Sequence, residues 1–591
     1  MTNKIFIVTP EQFVAFLKDY EPGRTLSLDI ETRGKTFLTT SITDISFYDG
    51  KTQVYVDLER VGPNSNSLLK EFFSELPKET VLLAWNIPFD FSFLKAKGIN
   101  VNGFPNWVDP MVATHLLDSD DKKSLKFQAE KLLGVTSEEY DSNLKEKDYD
   151  EWVEYCLNDS KWAYELWVNH YEPRLNPKGL DKLFFKLEMP YQRVLVEMKV
   201  TGINVDLKDL EVAGKEVKSM IHELNIKLHE IVNEPYNLQF DLFGNSWVVS
   251  NLNLNSTQQL SEIITDKLGL EIPFKSKKTG NPSTGKKTLD RLKGKHEFID
   301  LLVDFKKLVK LSNSFLETLP GFVDVDGKIR PTFLDVGTTT GRLSSFEPNL
   351  QQLPAEGGIV SVRKFMVPPK GYSMIACDYS GQELRVLAHI SDEESMIQAF
   401  KDGAYFHQAT ADRFGVSRRE AKIINFGIAY GKTSMGFASD FDSSEEEAQK
   451  MLDAYFNSYP NVKRAIDDTV KEVKAKGYVR NLIGRIRSFK TNDRGFYADK
   501  SFRQAFNFKI QGASADMIRA ASLKTYKLGK VNPTWGLKQV ATVHDENIYI
   551  VKDSYTDIAL EEIKKCFEEA AKLKVPMLCD AKAGKSYAEC K

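Results

Sequence analysis

The sequence predicts a multidomain protein, α/β in its opening third and α+β beyond it. Three observations carry that expectation. A chain of 591 residues is longer than one hydrophobic core sustains, so three or four domains are expected. Strand-like and helical patterns alternate through the first third, as an α/β domain requires. Long amphipathic runs then give way to strand and turn signals interleaved with helices, which suits an α+β assembly.

In chain order, Leu26 to Ile30 is strand-like after Pro22-Gly23, Thr80 to Trp85 is a second such run, and Ser124 to Leu133 has helical spacing through Leu125, Phe127, Leu132 and Leu133. From Leu187 to about Val232 the pattern is long and amphipathic, with Met189, Val194, Val196, Met198, Val217, Met220, Ile221 and Leu224, which predicts a bundle or arm of helices. The stretch Lys275 to Thr288 carries two glycines, one proline and five lysines, the composition of an exposed tip that either is merely solvated or touches a phosphate backbone. Tyr372 to Cys377 is apolar and ends at Asp378, whereas Lys401 to Leu482 and Phe502 to Leu528 are largely helical. Near the end, KQVATV and NIYIV flank His544-Asp545-Glu546, a hairpin with acids at its turn.

Bulk properties narrow the function classes. A formal net charge of −3 carries no global nucleic-acid signal, so any such surface must be a local stripe. The N-terminus lacks the apolar core of a signal peptide and no segment approaches a membrane span, so a cytoplasmic protein without a membrane partner is expected. Five cysteines without CxxC spacing fit a reducing compartment and argue against structural zinc and disulfides. Eight histidines without an HExxH pair make a zinc hydrolase a poor reading.

Two sets of acidic residues stand out: Asp29, Glu31, Asp90 and Asp159, and Asp378, Asp545 and Glu546. Carboxylate oxygens are the preferred ligands of Mg²⁺, and a pair of such ions stabilises both the attacking and the leaving oxygen of a phosphoryl displacement. Asp29 and Glu31 close a strand, so period-two geometry projects both carboxylates from one side. Asp90 follows the second apolar run, and Tyr155 and Asp159 lie one helical turn apart. Metal ions there would lower the pKa of a bound water while Tyr155 orients it.

D-x-E, N-x3-D and Y-x3-D in this order resemble the proofreading 3′–5′ exonuclease family often joined to DNA polymerases. The resemblance covers about 1–177 and implies an RNase H-like domain with Asp29, Glu31, Asp90 and Asp159 as metal ligands. Because each ligand is present, the exonuclease is expected to be active.

In the second half, Asp378 at a strand end and Asp545 at a hairpin turn would converge if their strands share a sheet. Between them, Arg418, Lys422, Phe426 and Tyr430 recur every four residues and so form one slowly drifting helical stripe. Cations at one end and aromatics at the other match a nucleotide lengthwise.

DYSGQELR (378–385), R-x3-K-x3-F-x3-YG (418–431) and VHDE (543–546) are similar to motifs A, B and C of family A DNA polymerases. TTTGRLSSFEPNLQQLP (338–354) and RQAFNFKIQGASAD (503–516) resemble further signatures of that family. The resemblance implies a right-hand fold: exonuclease 1–177, thumb and connecting helices 178–335, first part of the palm 336–398, fingers 399–528, and second part of the palm 529–591. It implies Asp378 and Asp545 as catalytic metal ligands with Glu546 beside them, two Mg²⁺ per site with Mn²⁺ able to substitute, and Arg418, Lys422 and His407 as triphosphate holders. Lys422 would also give a proton to the leaving pyrophosphate. Glu383 would be the gate against a 2′-hydroxyl, beside Gln382 in the nucleotide site. Phe426, a residue associated in the family with rejecting dideoxynucleotides, would stack on the incoming nucleotide, and Tyr430 would sit beside the templating base. Arg342, Asn349, Gln351, Arg503, Asn507 and Gln511 would contact primer or template, and His544 the primer terminus.

One departure is that many members carry Ser-Gln-Ile-Glu where this chain has Ser380-Gly381-Gln382-Glu383. A second is that the D-x-E strand begins near residue 26, which leaves no room for the 5′ nuclease that bacterial relatives commonly carry; the layout suits a phage-type enzyme, with a bacterial member lacking that nuclease or a natural short form as the alternatives. The resemblance implies a DNA-templated DNA polymerase with proofreading in DNA replication, its partners primer-template DNA and deoxynucleotides. A monomer is expected, with room for accessory replication proteins. Glu383 and the exonuclease motifs speak against a single-subunit RNA polymerase, and the full set of metal ligands speaks against a non-catalytic scaffold.

Overall fold

The computed structural model describes residues 3–21, 23–137, 143–240, 246–276, 279–354, 360–403, 405–489 and 496–591. Pro22, Lys277 and Lys278 of the segments read above lie outside the described residues. The chain divides into two compact units, one comprising Met1–Ile203, Arg330–Gln352 and Val367–Lys591, the other Asn204–Ile329 and Leu353–Met366.

In the first unit the N-terminal α/β region is built on six strands, β1 (Asn3–Ile7), β2 (Thr25–Arg33), β3 (Ser41–Tyr48), β4 (Thr52–Asp57), β5 (Val81–Leu83) and β6 (Trp107–Val108), in the order β1-β4-β3-β2-β5-β6. β2 runs antiparallel to β3 and parallel to β5. Its alternation is clean: Leu26, Leu28 and Ile30 are buried in the core, which turns Asp29 and Glu31 to the opposite face. Three helices bear on the site: α1 (Ile87–Ala96) and α3 (Tyr149–Leu166) pack on this sheet, and α2 (Leu125–Leu133) packs on α3. The Asp148 side chain caps α3 by accepting from the Glu151 amide at 3.0 Å, and Asp150 and Glu151 add negative charge to the first turn, where the helix dipole favours it.

The same unit holds a second sheet of four antiparallel strands, β7 (Tyr372–Tyr379), β8 (Lys538–Val543), β9 (Glu546–Lys552) and β10 (Cys579–Gly584), in the order β8-β9-β7-β10. Around it lie mainly helices, among them Arg418–Ala429 and the 36-residue helix Phe496–Val531. A buried ionic cluster ties elements of this unit together: Glu188 accepts from both Arg485 and Arg519, and Arg485 also pairs with Asp516 at 2.6 Å. Burial pushes the Glu188 carboxyl up, but the two guanidiniums prevail and hold it below the usual glutamate range.

In the second unit the helix Leu207–Ile231 packs on Glu297–Leu311 around a core that includes Leu228, Leu260, Phe298 and Leu302. The long amphipathic run expected from Leu187 to Val232 is therefore two helices, Met189–Thr201 and Leu207–Ile231. Gly202, at φ 64°, ends the first and leads into the short strand Ile203–Val205, a backbone turn that glycine tolerates without strain. Residues 178–203 and 330–335 of the segment expected as thumb fall in the first unit. Among the described residues, no helix is long and apolar enough to cross a membrane.

Candidate active sites

The N-terminal acids converge from β2, α1 and α3. Ligand atoms of Asp29, Glu31 and Asp159 all lie within 4.8 Å of one another. Asp90, at 2% exposure, is pinned by accepting from the Ile30 amide at 3.1 Å, so it faces the backbone between the two β2 carboxylates. Too many acids share too little solvent: burial, then Asp159, Asp90 and Glu31, push the Asp29 carboxyl far above its usual range. Glu31 is pushed up to about 8 by burial, then Asp159 and Asp44. Such a cluster must hold protons or cations, and its all-oxygen donor set fits a hard divalent metal. Burial and the adjacent Asp159 also raise the Tyr155 phenol, which stays protonated and able to donate.

Two residues that the motifs did not single out shape this centre. Asp109 is fully buried and accepts from the amides of Asn86 (3.1 Å), Ile87 (2.9 Å) and Met111 (2.9 Å). It thereby holds Asn86 in the left-handed conformation (φ 72°) that launches α1 and aims Asp90. Burial, then Asp335, push its carboxyl up to about 7 despite these three bonds. The signal for it was present in the Asp109-Pro110 pair, a helix-start signature. Lys126, in the first turn of α2, ion-pairs with Asp159 and lies 3.9 Å from the centroid of the Tyr155 ring. No local signal marks it, since a lysine on an amphipathic helix reads as a solvated residue.

The C-terminal acids meet through strand register. Asp378 pairs with Glu546 across β7 and β9, and Val543 pairs with Glu546, leaving His544-Asp545 as a two-residue hairpin turn. His544 adopts φ 58° there, as such tight turns demand. The Asp378 carboxyl is pushed up to about 7 by burial, then Asp545 and Glu546. Its Oδ1 is buried without a hydrogen-bond partner, an orphan acceptor of the kind a bound cation would satisfy. Glu546 is committed elsewhere: its Oε2 accepts from the Tyr587 hydroxyl (2.6 Å) and Lys591 Nζ (2.5 Å).

The stripe on Arg418–Ala429 forms as the spacing predicted. Ser417 and Glu420 close a capping box at its start. Lys422 Nζ lies 5.9 Å from the Phe426 ring, which stacks on Tyr430 at 5.9 Å and lies 5.4 Å from His407. Burial, then Lys422 and Arg418, lower the His407 imidazole to about 4, so it is neutral beside two cations. Gly431 (φ +67°) lets this helix end against the long one, because a Cβ there would meet the Arg503 Cβ at 2.8 Å. Arg503, Asn507 and Gln511 recur every four residues along that helix and are all half-buried.

Several residues expected on DNA or nucleotide have hydrogen-bond partners within the protein. Glu383, 5% exposed, is paired with Arg342 and accepts a hydrogen bond from Tyr430. Gln382 is buried; its Nε2 donates to the Ser514 carbonyl at 3.1 Å, whereas its Oε1 is buried without a hydrogen-bond partner. Gln351 donates to the Thr542 carbonyl and accepts from the His544 amide, both at 2.7 Å, bracing the turn that carries Asp545. Asn349 Oδ1 accepts from the Gln351 amide at 3.0 Å. The pattern of these polar residues could not separate a DNA contact from a brace, because both use the same donors and acceptors.

Two carboxylate clusters thus lie on two different sheets of one compact unit, and their all-oxygen donor sets suit divalent cations. Residues 213–589 match the model of DNA polymerase family A, and residues 5–169 match that of a 3′–5′ exonuclease. The chain belongs to DNA polymerase family A. It is 34% identical over 546 residues to DNA polymerase I of Caldicellulosiruptor bescii (89% of this chain, 60% of that protein) and 29% identical over 610 residues to DNA polymerase I of Borreliella burgdorferi (99% and 64%). The chain spans about 60 to 64% of the length of these relatives. Its fold is that of the polymerase domain of Pol1 from M. smegmatis, solved in complex with DNA primer-template and dNTP, with a TM-score of 0.84 and 23% identity over 99% of both chains.

Proposed function

We propose that this chain is a template-directed DNA polymerase that extends a primer 3′ end and proofreads it with an active 3′–5′ exonuclease. The observation that carries the reading is the presence, in one compact unit, of two separate carboxylate centres with the donor sets and crowding of cation sites. Asp29, Glu31, Asp90 and Asp159 would hold metal in one, and Asp378 and Asp545 in the other; all-oxygen donors favour Mg²⁺, with Mn²⁺ able to substitute. Bound there, the ions supply Lewis acidity that activates a hydroxyl or water and offsets charge on phosphate.

The chain's own residues do the rest. Arg418, Lys422 and His407 present a cationic edge to a triphosphate, and Lys422 can protonate the leaving pyrophosphate. Phe426 and Tyr430 offer ring faces to the base and sugar. Glu383, held between Arg342 and Tyr430, crowds the position of a 2′-hydroxyl. Arg503, Asn507 and Gln511 line one helix face toward primer and template. At the other centre the Tyr155 hydroxyl orients the attacking water. A mispaired end frays, and an unpaired strand reaches the exonuclease more readily than a duplex does, so the cost of melting sets the discrimination.

A primer-template assay with Mg²⁺, with and without deoxynucleotides, tests the proposal. Asp29→Ala with Glu31→Ala should abolish primer digestion and leave extension, and Asp545→Ala should do the reverse. Loss of both activities in either protein would refute two independent centres.

A further inference from the structure

The N-terminal centre contains a cation of its own. Lys126 Nζ is ion-paired with Asp159 and lies 3.9 Å from the Tyr155 ring centroid and 5.1 Å from that of Trp162. A carboxylate on one side and two ring faces on the others form a receptor for an ammonium group. The lysine side chain is 23% exposed and can move toward solvent without opening the core.

We propose that Lys126 is the resident counter-ion of this centre, holding Asp159 and Tyr155 in place until a divalent cation takes over the Asp159 carboxylate. Lys126 is thus a positioning residue, and it competes with the metal for one ligand. The inference rests on the reading of this centre as a metal site. It follows that metal binding displaces a charged partner, which weakens cation affinity in the free protein and keeps the acids ordered when no metal is bound. Neutralising the lysine removes the competitor and the counter-charge at once.

Mn²⁺ is the probe, titrated into the full chain carrying Asp378→Asn and Asp545→Asn, with free Mn²⁺ followed by electron paramagnetic resonance and heat by calorimetry. Lys126→Met should bind Mn²⁺ about tenfold tighter, as expected for loss of one charged hydrogen bond, and should unfold at a lower temperature in EDTA. Lys126→Arg keeps the charge and should restore both properties toward wild type, which a purely structural role for the lysine stem would not predict. Lys126→Gln replaces the methionine variant if that protein does not fold. Mn²⁺ affinity unchanged or weakened on neutralising Lys126 overturns the inference. Mn²⁺ binding that survives Asp29→Ala with Glu31→Ala instead overturns the metal-site reading itself, whatever Lys126 does.

Discussion

Gln351 offers the sharpest test of how the polymerase centre is held together. Its side chain donates to the Thr542 carbonyl and accepts from the His544 amide, each at 2.7 Å, and so frames the two-residue turn that places Asp545 beside Asp378. Gln351→Ala removes both bonds. At roughly 1 kcal/mol net per hydrogen bond, the turn loses about 2 kcal/mol of restraint. If that loss falls wholly on the geometry of Asp545, turnover drops by up to about 30-fold, since about 1.4 kcal/mol is tenfold. The assay is single-nucleotide extension, with kcat and the DNA dissociation constant measured separately and single-strand digestion by the same protein as an internal control. The expected result is a fall in kcat, DNA affinity within about twofold of wild type, and unchanged digestion. Weakened DNA binding with kcat retained would refute the brace and return Gln351 to the DNA contact its motif implied.

Two further predictions concern buried charge and pH. Glu188→Gln leaves Arg485 and Arg519 with one carboxylate fewer at a fully buried position, which should cost about 3–5 kcal/mol. For a cooperative unit of about 450 residues this lowers the melting midpoint by roughly 3–5 °C. Because the folded Glu188 carboxyl lies below its unfolded value, its stabilisation is full above about pH 4.3 and is lost as pH falls through the folded pKa. A calorimetric midpoint unmoved in the Gln variant would show that the cluster carries no net stability. His407 has the opposite sense: burial and two cations lower it to about 4 in the free protein, and a bound triphosphate's negative charge should raise it. Nucleotide binding should therefore take up a proton, with affinity rising as pH falls below the bound-state pKa and levelling off below about 4. Calorimetry in buffers of different ionisation heat measures that proton, and its persistence in His407→Gln would assign it to another group.

Much was legible without coordinates because it is local. The alternation Leu26, Leu28, Ile30 turns Asp29 and Glu31 to one face of a strand whatever surrounds it, and four-residue spacing alone sets Arg418, Lys422, Phe426 and Tyr430 in one stripe. The hairpin followed from two strand-like runs, 538–543 and 547–551, flanking His544-Asp545-Glu546, but only the strand pairing shows that Glu546 faces Val543 and leaves the turn to His544-Asp545. The break at Gly202 was missed because an amphipathic period continues on both sides of a single glycine.

What the sequence by itself determined, then, is which carboxylates, cations and rings are available and which neighbours share a face, since strand and helix periods depend only on backbone geometry. Tertiary structure alone decided that Lys126 faces Asp159, that Asp109 holds the start of the helix bearing Asp90, that Gln351 braces a turn 193 residues away, and that Glu188 joins two arginines. The physical reason is that a polar side chain's role is set by the partner that satisfies it once water is excluded, and those partners come from chain segments whose separation no local pattern records.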